Sequence, residues 1–91
     1  MSRVERDCRI ENELGLHLRA AAAFVKVAES FESEVTLSRD GQCANGKSII
    51  ALVTLAAAQG TTVQVCADGP DASDAVSTLC ELVRGRFGEP T

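Results

Sequence analysis

Apolar residues recur along the chain with a period of two in some stretches and of three to four in others, and the switches between these periods mark out seven elements. Over Arg3 to Ile10, Val4, Cys8 and Ile10 fall on one face of a strand, with Arg6 breaking the alternation. Asn12 to Gly15 forms a turn, with Leu14 and Leu16 expected to close over the start of the next element or to sit plainly in the core. From Leu18 to about Phe31 the period is helical, and Ala20, Phe24, Val27, Ala28 and Phe31 share one face. Ser33 to Ser38 returns to a strand, with Val35 and Leu37 in phase, and Asp40-Gly41 is a two-residue hairpin signal. Gln42 to Asn45 is then a short antiparallel edge strand, and Asn45-Gly46 opens another turn.

The run from Lys47 to Gly60 fits a buried strand or a short helix. Its length and alanine-rich end favour a helix, with Ser48 near the N-cap and Gly60 just past the C-terminus. Ile49 and Ile50 are either covered or form an exposed interaction patch. Thr61 to Ala67 alternates cleanly as a central strand, with Val63, Val65 and Ala67 on one side and Thr62, Gln64 and Cys66 on the other. Asp68-Gly69-Pro70 ends it. Asp71 and Asp74 load the first turn of a last helix that runs to about Arg84, buries Ala72, Ala75, Val76, Leu79, Cys80 and Val83, and stops at Gly85. Residues 86–91 read as a short loose tail. Helices that must all cover one face of a hairpin-rich sheet give a two-layer α+β sandwich whose other face meets solvent.

Composition narrows this picture. With 91 residues, 45% of them hydrophobic, the chain is expected to form a single domain with its own core, built from Val, Leu, Ile and Ala because the only aromatics are three Phe. A net charge of −4 and the lack of aromatic stacking positions argue against nucleic acid. The four cysteines, Cys8, Cys43, Cys66 and Cys80, form no C-x-x-C pair, so metal spacing is absent, and no cofactor is expected. Two disulfides in a secreted chain are one reading. Reduced, mostly buried thiols in a cytoplasmic protein are the favoured one, because the first residues carry no apolar signal segment. The run from Ile49 to Ala58 is too short to span a membrane.

Candidate chemistry centres on Gly15-Leu16-His17-Leu18-Arg19, where the only histidine stands at the start of the first helix. Backbone N–H groups left unpaired at a helix N-terminus, together with the helix dipole, attract anions and disfavour an imidazolium. A neutral imidazole nitrogen is a nucleophile, and the guanidinium of Arg19 offers a fork of donors to phosphoryl oxygens. On its own this spacing is more often that of an ordinary surface or half-buried histidine without chemistry.

Further motifs in register give the histidine more weight. Gly15-Leu16-His17-Leu18-Arg19-Ala20-Ala21, the Asn45-Gly46 turn followed by Lys47-Ser48-Ile49-Ile50, and Gln59-Gly60-Thr61 before a Val-rich strand together resemble the HPr family, the phosphocarriers of the bacterial phosphotransferase system. The resemblance extends from about Val4 to Val83. It implies an open-faced β-sandwich, a four-stranded antiparallel sheet with three helices on one face in the order βαββαβα. It also implies that His17 accepts a phosphoryl group from phosphorylated Enzyme I and passes it to a sugar-specific or regulatory enzyme II, with Arg19 assisting. Such a chain is a phosphoryl carrier, not a stand-alone turnover enzyme, and is expected to act as a monomer. Ser48 matches a serine that a dedicated kinase phosphorylates in some members, and Leu18, Ile49 and Ile50 fall where the family meets its partners. The family usually has proline in place of Ala20 and a small residue in place of Leu18. These departures imply a looser helix start and added bulk beside the nucleophile, and they motivate an alternative: a regulatory binding module controlled through Ser48, with reduced or lost carrier activity.

Overall fold

The structure, a computed structural model, describes residues 2–91. Its elements are β1 (Ser2–Arg9), α1 (Leu18–Ala28), β2 (Glu34–Arg39), β3 (Gln42–Asn45), α2 (Ile49–Thr54), β4 (Thr62–Gly69) and α3 (Ala72–Arg84), followed by one 3₁₀ turn at Arg86–Gly88. The strands make one antiparallel sheet in the order β1-β4-β2-β3, so the cleanly alternating strand is central, as its pattern predicts. Three α-helices and an open four-stranded sheet give the expected α+β fold.

Cross-strand register explains which residues are covered. Val35 pairs with Ala67 and Leu37 with Val65, while Cys8 pairs with Val63, so these side chains share the face on which the helices lie. Against them pack Ala20, Phe24 and Ala28 of α1, Leu52 of α2, and Val76, Leu79 and Val83 of α3, all fully buried or nearly so. Arg6 pairs with Val65 and so belongs to this covered face, yet it is exposed. A long charged side chain can leave the core edge from an outer strand, and there it discourages pairing with another sheet. Asp40 (φ 48°) and Gly41 (φ 80°) turn the β2–β3 hairpin with two left-handed residues, the geometry that matches strand twist.

The structure corrects four boundaries or placements. First, α1 stops at Ala28, and Ser30 and Phe31 close a tighter turn on Val27 and Ala28, so Phe31 and Val27 are only half-buried while Val25 and Ala21 join the core. Second, α2 ends at Thr54, not near Gly60. Ala56 turns left-handed (φ 52°), and the Ala57 carbonyl accepts the Leu16 N–H at 2.9 Å, a bond that commits this segment to the loop before α1 and not to a further helical turn. Gly60 instead turns the chain into β4, its N–H bonded to the Ile10 carbonyl at 2.8 Å. Third, Leu16 is buried, but Leu14 points to solvent. Fourth, the residues expected to form a loose tail are anchored: Phe87 is buried, and the Glu13 N–H donates to the Thr91 carbonyl at 2.9 Å.

Candidate functional site

His17 is the N-cap of α1. Its backbone is extended (φ −84°, ψ −178°), its carbonyl accepts the Ala21 N–H at 2.8 Å, and its Nδ1 accepts the Arg19 N–H at 3.2 Å. The sequence places it there because Gly15, two residues earlier, takes a left-handed turn (φ 69°) against the Ala57–Ala58 backbone, and a run of alanines then favours helix. A side chain added at Gly15 would stand 2.6 Å from the Ala57 oxygen, so this close approach requires glycine. The helix begins at Leu18 and buries Ala20 in its first turn.

The other ring nitrogen, Nε2, meets Glu89 Oε2 from the C-terminal segment. Glu89 Oε1 accepts from Asn12 Nδ2 at 2.9 Å, and the same Asn12 nitrogen donates to the Gly15 carbonyl at 2.7 Å. Buried Asn12 therefore ties the turn before His17 to the carboxylate that contacts its ring. Hydrogen bonding to Asn12, and then the neighbouring His17, hold the Glu89 carboxyl below its ordinary value. An Nδ1 that accepts a backbone N–H carries no proton. The ring proton then resides on Nε2, donated to Glu89, and the Nδ1 lone pair faces the helix N-terminus.

Arg19 is exposed and makes no ion pair among the described residues. It lines a groove with Leu14, Ala23, Phe87, Glu89 and Pro90. Around the histidine, Leu18 is 66% exposed and Leu14 63%. Ser48 is the N-cap of α2, its Oγ accepting the Ala51 N–H at 3.3 Å. Ile50 after it is 80% exposed, whereas Ile49 packs partly against the core. Thus the structure brings His17, Arg19 and Glu89 together. Ser48, Ile49 and Ile50 sit at the start of the neighbouring helix, with no hydrogen bond to the histidine group among the described residues. Reasoning from the sequence missed Glu89 and Asn12; the one available signal was Phe87, an apolar anchor within an otherwise polar C-terminal stretch.

The family model described as PTS HPr component phosphorylation site matches residues 4–85. The chain belongs to the HPr family. It is 44% identical over 86 residues to the phosphocarrier protein HPr of Cupriavidus necator, covering 94% of this chain and 97% of that protein. Identity to the phosphocarrier protein HPr of Neisseria meningitidis serogroup A is 42% over 86 residues, with the same coverage of both chains. Among solved structures, HPr-C-His from Thermoanaerobacter tengcongensis superposes with a TM-score of 0.88 at 36% identity over 100% of both chains. The fold is thus the HPr fold expected from the motifs. Among the described residues no helix is long and apolar enough to cross a membrane.

Proposed function

We propose that this HPr family member carries a phosphoryl group on His17, taking it from phosphorylated Enzyme I and giving it to an enzyme II of the phosphotransferase system. The observation that carries this reading is the placement of His17 Nδ1 at the N-terminus of α1, where it accepts the Arg19 N–H, while the exposed Arg19 side chain lines the adjoining groove with Glu89. Nδ1 first gives up the Arg19 N–H, which is freed toward the incoming phosphoryl oxygens. Its lone pair then attacks phosphorus, forming the N–P bond while the donor's bond to phosphorus breaks, its electron pair staying with the donor. The dianionic group then lies where free backbone N–H groups and the positive helix end favour it, and Arg19 supplies charge-assisted donors to its oxygens. Little more is required of the protein, because phosphoryl transfer rests on positioning and on charge stabilisation. Exposed Leu18 and Ile50, with Ile49 beneath, supply an apolar surface for the protein partners.

A second reading keeps the fold but moves control to Ser48. Half-buried at the start of α2 and followed by exposed Ile50, Ser48 could be phosphorylated by an HPr-type kinase. This would add about −1.5 to −2 charge beside the partner surface and repel an acidic or apolar face. In that case the carrier activity would be reduced and partner binding would survive His17→Ala.

One assay separates the two. With phosphoenolpyruvate and the native Enzyme I, the carrier reading expects an acid-labile, base-stable phosphoprotein from wild type and none from His17→Ala. Wild-type protein that stays unlabelled, alongside an active control HPr, overturns it.

A further inference from the structure

Both ring nitrogens of His17 are engaged, but by groups of opposite character. Nδ1 faces a backbone donor and the positive end of a helix, whereas Nε2 faces a carboxylate. That carboxylate does not arrive by chance contact. It is held from its other oxygen by buried Asn12, and the segment that presents it is anchored by buried Phe87 and by the Glu13–Thr91 backbone bond. Arg86 (φ 60°) and Phe87 (φ 55°) are consecutive left-handed residues with side chains, a costly backbone that delivers Glu89 to the ring.

Resting on the reading of His17 as the phosphoryl acceptor, we propose that Glu89 is a positioning residue for the transfer. It keeps the ring proton on Nε2, so that Nδ1 presents the lone pair, and it offsets the positive charge that the ring gains when Nδ1 bonds to phosphorus. Nδ1 and Nε2 lie on different edges of the five-membered ring, so the carboxylate does not stand in the path of the incoming group. An anion at Nε2 also disfavours phosphorylation there, because the phosphoryl group would approach a negative charge and find the nitrogen protonated. In the transfer step the N–P bond forms at Nδ1, the donor's bond to phosphorus breaks, and the Nε2 proton stays in place opposite Glu89. When the group leaves for an acceptor, the Nδ1 electron pair returns to the ring and the charge on the ring is removed. The logic is that of a carboxylate that orients a reacting imidazole and stabilises its cationic form without taking its proton.

Two variants separate the two parts of the role. Glu89→Gln keeps an acceptor near Nε2 but removes the charge. Phosphoryl uptake by His17 should slow about tenfold, as a charge-assisted hydrogen bond becomes a neutral one, with the change in kcat and not in the KM for this protein as substrate of Enzyme I. Glu89→Ala removes the acceptor. Long-range nitrogen–proton spectra of the unphosphorylated protein should then show the Nδ1–H form gaining at the expense of Nε2–H, and added acetate should restore part of the rate of uptake. A merely structural tie at the C-terminus would leave the ring nitrogen signals as they are and would not respond to acetate. Uptake by Glu89→Gln at the wild-type rate, or an unchanged tautomer ratio in Glu89→Ala, overturns the proposal. The tautomer measurement needs no phosphoryl donor, so failure of wild-type labelling would fall on the carrier reading, while an unchanged ring spectrum would fall on Glu89.

Discussion

At the scale of single residues, environment separates groups that the sequence presents as alike. Four cysteines occur without a pairing motif, and in the structure all are free, with Cys8, Cys66 and Cys80 buried and Cys43 exposed on the edge strand. Cys66 lies on the sheet face away from the helices, opposite Glu5 and Thr36, and is covered there all the same. Burial, and then the thiol of Cys80, push the Cys8 thiol up to about 12. Because the thiolate is the reactive form, Cys8 is protected twice, by access and by protonation. Titration of the native protein with a disulfide reagent should therefore modify Cys43 quickly, with the other three reacting only after denaturant is added. Fast reaction in Cys43→Ser would show that a buried thiol is accessible. The same contrast limits what could be read at the site. His17 and Arg19 could be singled out as candidates because further motifs stand in register with them, whereas a glutamate seventy-two residues from the histidine offers no such signal until the chain folds.

At the scale of elements, the junction between the first loop and α1 shows how the histidine is aimed. Gly15 turns left-handed against the carbonyl of Ala57, Leu16 then donates to that carbonyl, and the helix starts two residues later. Gly15→Ala must therefore strain its backbone and overlap the Ala57 oxygen, and should destabilise the fold by more than about 2 kcal/mol. Gly41 has a similar left-handed backbone (φ 80°), but a side chain there meets nothing within 4 Å. Gly41→Ala should cost only the backbone term, about 1 kcal/mol, and chemical denaturation of the two variants measures the difference. Equal losses would show that the contact with Ala57 contributes nothing. This junction also explains the main misreading from sequence. Lys47 to Gly60 has the composition of one helix, and local propensity favours continuing it. The long-range bond from Leu16 to Ala57 ends it early, and no local pattern records a partner forty-one residues away. The strands fared better, since alternation is a local consequence of having one covered face: Val35, Leu37, Val63 and Val65 all lie where their phase puts them.

For the whole molecule, two carboxylates tie distant parts of the chain together. Asp71, just before α3, accepts hydrogen bonds from Ser33 Oγ at 2.5 Å, from the Ser33 N–H at 2.9 Å and from the Glu32 N–H at 2.9 Å, closing the connection between α1 and β2. The first of these bonds is the chief reason that its pKa falls below the ordinary 3.8. Glu89, held by Asn12 and His17, likewise lies below its ordinary 4.5. Both folded-state values are depressed, so the unfolded chain binds protons more readily. Their contribution to stability is complete above the unfolded values and is lost as pH falls through those values and then the lower folded ones. The protein should hold its stability from about neutral pH down to roughly pH 5 on account of these two groups, and lose it progressively below about pH 4. Asp71→Asn keeps one acceptor for Ser33 but cannot titrate. It should unfold at lower urea concentration than wild type near pH 7, as charged acceptors are exchanged for a neutral one, and lose less on acidification to about pH 3. Urea midpoints at the two pH values, for both proteins, decide the matter. If the two lines fall in parallel, the acid sensitivity lies elsewhere, and the clamp between Asp71 and the Ser33 turn is not what couples α3 to the sheet as pH changes.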